Sequence, residues 1–205
     1  VLERLASIPA LLRVWGTVLA GNFAGGAMGA LLLATTGVLS PEASEAALTI
    51  SQKGLQTPFA DLFFKALTAG FIVAGVVWLN FSARDVIARF ALTYMAFLCI
   101  PFGNLFHVVV SFTELMFLVF NGYAVFWQGL TGFVFPVVLG NTVGGAILVT
   151  VVNYFQTTER RVEAAREDGA ERQLTMAEWF LGGFVGRSYV PAGKTTPPDH
   201  SRKQA

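Results

Sequence analysis

The sequence predicts an all-α membrane protein, a bundle of transmembrane helices followed by a polar tail. Two observations carry this expectation. Of 205 residues, 54% are hydrophobic and only 13% are charged, whereas an ordinary soluble domain is about 25% charged. The charge is also segregated. From Phe90 to Thr158 the sole charged residue is Glu114 and the sole histidine is His107, while charges crowd the segment from Glu159 to Glu178. A soluble core has no need of so long an uncharged run, and a bilayer does. The net charge of +1 offers no broad field to nucleic acid. The single cysteine, Cys99, excludes an intrachain disulfide framework and a multi-cysteine metal site.

Four apolar stretches, residues 11–36, 62–81, 86–120 and 130–155, reach the length of about 20 residues that a span requires. The third holds 35 residues. As one straight helix it would run roughly 50 Å at about 1.5 Å per residue, against a hydrocarbon core of about 30 Å. Pro101-Phe102-Gly103-Asn104 stands in its middle. Proline removes a helix hydrogen bond and glycine tolerates special dihedrals, so a broken helix is predicted, with halves near 86–100 and 105–120. Irregular backbone at membrane depth is tolerated where it is buried or lines a cavity, which makes the break itself a pointer to a pathway.

Arg4 and Arg13 stand before and at the start of the first stretch, Arg84 and Arg89 separate the second and third, and Arg160, Arg161, Arg166 and Arg172 follow the fourth. Strict alternation puts these groups on one side, and the excess of basic residues makes that side cytoplasmic. The C-terminus is then expected to be cytoplasmic, in a multi-pass protein of the plasma membrane. Lys53 falls on the opposite side, in a loop at Ser51-Gln52-Lys53-Gly54. The boundary expected from composition separates a membrane domain at 1–156 from a tail at 157–205. In that tail 157–172 is charged and helix-prone, Trp179-Phe180-Leu181 suits an interface, and 194–205 has the composition of a disordered end.

A repeat lies in the first and fourth stretches. Gly21-Asn22-Phe23-Ala24-Gly25-Gly26-Ala27 matches Gly140-Asn141-Thr142-Val143-Gly144-Gly145-Ala146 at five of seven positions. Spans one and four run in opposite directions, so the repeat is expected to be inverted, as in many transporters. Generic packing of small residues between membrane helices is the competing explanation. If each unit holds three spans, the first lacks its two leading ones. Two spans of about 20 residues each, together with their connecting and leading segments, then put roughly 100 residues ahead of Val1 as the expectation.

His107 is a lone ionisable ring in a dry stretch beside the predicted break, and such residues inside membranes mark pathways. A neutral imidazole donates one hydrogen bond and can take or give a proton. Its alternative role is to tie two helices together. Ser111 and Glu114 follow at i+4 and i+7 on the same helix face. Glu114 either lines a pathway or meets solvent at the far interface. Asn22 and Asn141 can bond a substrate or a neighbouring backbone. Lys53 is a solvated loop charge, or an attractor of anions if it stands at a pore mouth. No nucleotide loop, zinc spacing, nucleophile elbow or flavin motif occurs, so no cofactor or metal is expected and an enzyme is disfavoured.

Taken in order, these pieces resemble the formate/nitrite transporter family. Trp15 followed by Gly21-Asn22 is similar to its third helix. Lys53, Phe59 and Gly70 through Ala74-Gly75-Val76-Val77-Trp78 are similar to its lysine loop and fourth helix. His107 stands as on its broken fifth helix, and Pro136 with Gly140-Asn141-Thr142-Val143-Gly144-Gly145 as on its sixth. The resemblance covers residues 11–156. It implies six helices per protomer in an aquaporin-like inverted repeat, assembled as a homopentamer with one pore in each protomer. It implies passage of small monovalent weak-acid anions such as formate, nitrite, hydrosulfide or lactate, and maps the family's central histidine, vestibule lysine and sixth-helix asparagine onto His107, Lys53 and Asn141.

The sequence also departs from the family. Asn104-Leu105-Phe106 precedes His107 in place of Gly-Phe-Glu, Ser111 takes an asparagine position, the fourth-helix asparagine is absent from residues 70–72, and Glu114 is an added acid. The expected route is attraction of the anion by Lys53, protonation or hydrogen bonding at His107, and passage of the neutral acid across Ile100, Phe102 and Phe106. The alternatives are a pore for a neutral solute or gas, and a membrane assembly subunit without transport.

Overall fold

The computed structural model describes residues 7–149 and 175–182. The chain divides into two units, one of residues 19–156 and the other of residues 1–18 with 157–205. Among the described residues all regular structure is helical. In order these are α1 (Ile8–Thr35), α2 (Pro41–Gln56), α3 (Phe59–Ser82), α4 (Val86–Phe102), α5 (Val108–Phe120) and α6 (Phe126–Gly129). The chain continues without interruption through π-helical Leu130–Val134, α7 (Phe135–Asn141) and π-helical Thr142–Val149, and α8 (Met176–Leu181) follows later. Helices α1, α3 and Phe126–Ala146 are long and apolar enough to cross a membrane, and α4 and α5 are shorter apolar helices.

The long third stretch is divided between α4 and α5, and hydrogen bonding explains how α4 stops. Leu105 N–H donates to the Ile100 carbonyl at 2.9 Å, and Asn104 N–H donates to Pro101 at 3.1 Å. Asn104 takes the left-handed conformation at φ 51°. This is a Schellman ending, which satisfies carbonyls that a helix end otherwise orphans. Glycine and asparagine both stand at the break and both tolerate this conformation. It is Asn104 that adopts it, while Gly103 is ordinary right-handed backbone at φ −78°. Asparagine is one of the few L-residues suited to this region. The end of α5 repeats the device with a glycine. Tyr123 N–H reaches the Leu118 carbonyl and Gly122 N–H reaches Val119, with Gly122 at φ 78°.

Helix α2 is a correction to the expected loop around Lys53. Ser40 caps it by accepting from Ala43 N–H at 3.2 Å, and Pro41 opens the first turn. Glu42 lies in that turn. Its carboxyl is held below the usual range by a hydrogen bond from its own backbone and then by the Ser40 hydroxyl. Lys53 lies in the last turn, so both charges match the helix dipole. Thr57 is extended, as the residue before Pro58 must be, and ends the helix. Helix α2 has too little apolar character for a span and lies between two helices that have enough, so span length does not mark it in the sequence.

The unit of residues 19–156 is packed around α3, α5 and the segment 126–149. Leu62 and Ala66 of α3, Phe112 and Leu115 of α5, and Phe133, Val134 and Val137 form its buried cluster together with Phe106 of the break. Within a bilayer such burial gains packing contacts rather than escape from water, so close approach matters most. Three glycines provide it. A Cβ at Gly140 would run into the Phe63 carbonyl and Ala66, one at Gly144 into the Leu67 carbonyl, and one at Gly70 into the backbone of Asn141. From the other side Phe23 of α1 stacks on Phe112 with ring centroids 3.9 Å apart. Asn80 Nδ2 donates to Thr93 Oγ1 at 2.9 Å and fastens α3 to α4, while Asp85 caps α4 through Ile87 and Ala88 N–H groups.

Of the two repeat copies, Gly21–Ala27 lies within α1, and Gly140–Ala146 spans the junction of α7 with the π-helical stretch after it. In the other unit α8 carries Trp179, Phe180 and Leu181 behind a capping box of Thr175 and Glu178. Residues 150–155, 157–172 and 194–205 lie outside the described residues.

The Asn104 geometry yields a stability prediction. Asn104→Gly is expected to leave thermal unfolding of the detergent-solubilised protein unchanged. Asn104→Val, which forces a β-branched residue into the left-handed region, should cost about 1–2 kcal/mol. Equal unfolding midpoints for the two variants would refute the assignment.

Candidate functional site

The break between α4 and α5 lines a groove of about 500 Å³. Its walls are Phe97, Ile100 and Pro101 from α4, residues 104–107 from the break, Val110, Ser111 and Glu114 from α5, and Ile50 and Lys53 from α2. His107 stands where irregular backbone becomes helix. It is the N-cap of α5, with φ −116° and ψ 130°, and its side chain makes no cap hydrogen bond. Its carbonyl accepts from Ser111 N–H at 2.9 Å. The ring is thus attached to a fixed backbone but is not spent on holding that backbone.

Asn141 does the holding. Its Oδ1 accepts from Val108 N–H at 2.9 Å. Its Nδ2 donates to the Phe106 carbonyl at 3.0 Å and to the Ala66 carbonyl of α3 at 2.8 Å. One amide therefore grips the chain on both sides of His107 and ties it to α3. Only this amide orientation satisfies a donor and two acceptors at once. The close contact of Gly70 and Gly140 across α3 and α7 brings the amide within reach. Of the two roles open to this asparagine in the sequence, backbone bonding is the one the structure displays, and Asn141 does not line the groove.

The other expected site residues are distributed as follows. Ser111 is buried and Glu114 partly buried on the groove wall formed by α5. Lys53 is exposed on the facing wall, near the end of α2. Its neighbour Gly54 lies directly against the Phe133 ring, which presses α2 onto the segment after α6. Ile100 and Phe106 are both buried and both line the groove. Phe102 is 85% exposed and points elsewhere than the groove. Asn22 lies on an exposed part of α1, away from the groove. Sequence reasoning missed Asn104, Phe97 and Val110. The last two were legible as positions one turn from Ile100 and His107 on the same helix faces.

Phe106 is held between two partners, the edge of Phe133 at 5.7 Å between centroids and the Lys65 ammonium at 5.9 Å from its ring centroid. Among the described residues no three His, Cys, Asp or Glu side chains gather as metal ligands. The arrangement suits a small molecule with few polar groups. It offers one cation at the exposed edge, apolar walls, and a row of imidazole, hydroxyl and carboxyl along one helix.

The model of the family described as Formate/nitrite transporter matches residues 1–155. This chain belongs to the formate/nitrite transporter family. The Escherichia coli (strain K12) inner membrane protein YfdC is 27% identical over 173 residues, covering 82% of this chain and 54% of that protein. An uncharacterized transporter of Bacillus subtilis (strain 168), YrhG, is 27% identical over 126 residues, 60% of this chain and 46% of that protein. A probable formate transporter of Methanothermobacter thermautotrophicus is 29% identical over 178 residues, 76% of this chain and 62% of that protein. The chain spans about half the length of the first two and somewhat more of the third, at identities that mark a divergent branch. No solved structure matches it.

The clasp can be tested directly. Asn141→Leu orphans the Val108 N–H and two carbonyls. It should lower stability by at least the roughly 1–3 kcal/mol that one unsatisfied buried group costs. Thermal unfolding in detergent reads this, and an unchanged midpoint would remove the clasp from the account.

Proposed function

We propose that the protein is a plasma-membrane transporter of small monovalent weak-acid anions, moving each anion together with a proton through His107. The observation that carries this reading is the placement of His107. It is held by Asn141 at the wall of an apolar groove whose opposite wall presents Lys53. Family membership of residues 1–155 supports transport, and one relative is a probable formate transporter. The Escherichia coli relative is an inner membrane protein, which supports the same location here.

The physical problem is the cost of moving a bare ion past Ile100 and Phe106. Taking an ion from water into a low-dielectric interior costs several kcal/mol even after relaxation. A neutral acid avoids most of that. Lys53 draws the anion to the exposed edge of the groove. As the anion loses water its conjugate acid becomes harder to ionise. His107 then donates a hydrogen bond or its proton, and the neutral acid crosses the apolar walls and ionises again beyond them. The cytoplasmic C-terminus, a homopentamer with one pore per protomer, and completion of the inverted repeat by further helices belong to the same proposal.

The test uses the full-length protein in liposomes loaded with a pH dye. Formate, nitrite, hydrosulfide, lactate and acetate are added in turn to wild type and to His107→Phe. Saturable internal acidification is expected for at least one anion, rising as external pH falls because a proton enters with each anion. It should fall at least tenfold in the variant. Acidification of equal rate and pH profile in both proteins would sink the role of His107. No response to any anion would favour a pore for a neutral solute.

A further inference from the structure

Ser111 presents a polar atom that the mechanism above leaves unused. Its residue is 1% exposed, and its Oγ is buried without a hydrogen-bond partner. Other hydroxyls in these helices do not behave this way. Thr68 bonds the Phe64 carbonyl at 3.0 Å, Ser51 bonds Ala47 at 2.8 Å, and Thr113, on the same helix as Ser111, bonds Val109 at 2.9 Å. Each folds back onto the carbonyl four residues earlier. Ser111 does not. A buried hydroxyl without a partner costs free energy unless something arrives to meet it.

Its surroundings indicate what arrives. Ser111 lines the groove between His107, one turn before it, and Glu114, one turn after it. Residues three and four apart on a helix have Cβ atoms about 5–6 Å apart. That gap suits one bridging water on either side of the hydroxyl. Among the described residues no hydrogen bond or ion pair occupies the Glu114 carboxyl. The elements packed on α5 bring one charged group to this groove, Lys53 of α2. Residues 126–141, packed on its other side, contain no titratable side chain. Carboxyl, hydroxyl and imidazole therefore form a row of groups that can all exchange protons, along one wall of an otherwise apolar groove.

We propose that Glu114 supplies His107 with the proton it passes to the substrate, by way of the Ser111 hydroxyl and intervening water. The step balances. The Glu114 carboxyl gives its proton to water and becomes a carboxylate, and that water protonates the Ser111 oxygen as the Ser111 hydroxyl proton passes on toward His107. The imidazole gains one proton, then gives it to the anion and returns to its neutral form. Glu114 regains a proton from solvent at the Lys53 side. The proposal rests on the proton-linked role of His107, and it adds a residue that determines how quickly His107 is reloaded.

The experiment compares two modes of transport in liposomes containing the full-length protein, with formate and nitrite as probes. Net uptake, read by the internal pH dye, requires a new proton for every anion. Exchange of external labelled anion against the same anion inside at equal pH requires no net proton movement. Glu114→Gln and Ser111→Ala should each slow net uptake at least tenfold and flatten its pH profile, while exchange falls by a much smaller factor and thermal unfolding in detergent stays at the wild-type midpoint. Glu114→Asp should restore part of the uptake. Wild-type uptake and pH profile in Glu114→Gln would overturn the relay and leave the reading of His107 standing. Equal loss of uptake and exchange in both Glu114→Gln and Glu114→Asp would overturn it too, by making Glu114 part of folding or binding. Wild-type protein that carries either anion without a pH change would defeat the His107 reading itself, and this one with it.

Discussion

Everything about this site depends on one requirement, that peptide groups released from a helix inside an apolar layer find partners within the protein. Breaking a helix at membrane depth frees donors and acceptors where no bulk water can meet them. The chain meets the requirement in two ways. On the α4 side the ending folds back on itself through Leu105 and Asn104 N–H groups. On the α5 side the partner comes from far along the chain, as Asn141 takes the Val108 N–H and the Phe106 carbonyl. The histidine between those two peptide groups inherits a fixed position at no cost in its own hydrogen bonds.

The glycines belong to the same logic. Asn141 can reach residues 66, 106 and 108 only because α7 lies almost backbone to backbone against α3, and it lies there because Gly70, Gly140 and Gly144 have no side chains to hold the helices apart. The motif that looks like generic small-residue packing in the sequence is thus inseparable from the clasp. Glycine sets the distance and asparagine uses it. The π-helical turns on either side of α7 adjust which face of the segment carries these residues toward α3, since a π turn spaces its hydrogen bonds one residue wider than an α turn.

What could be read from the sequence was whatever is local. The apolar lengths, the break near Pro101 and the row of His107, Ser111 and Glu114 all follow from spacing along one segment. Which residue of the break takes the left-handed conformation is not fixed by the motif, because glycine and asparagine stand side by side and both suit it. The helix that carries Lys53 is not legible in the sequence, because it has neither the apolar length of a span nor a strong apolar stripe. The clasp could not be read at all, since it joins residues 35 and 75 positions apart and depends on an approach distance that no local pattern encodes. Phe102 shows the limit of proximity along the chain. Although next to the break, it is the last residue of α4 and is exposed away from the groove.

The amide of Asn141 has a further consequence that follows from counting its lone pairs. A primary amide has two N–H bonds to give and two lone pairs on oxygen to receive with. Both N–H bonds are committed, to residues 66 and 106, and one lone pair is committed to residue 108. Only a single acceptor site remains. The residue has become chemically one-sided. It can still accept one hydrogen bond, and it has nothing to offer an oxyanion. Asn141 stands behind the groove wall rather than in it, and its structural duties leave it no donor to lend, so any donor that meets an anion there must come from the groove's own lining.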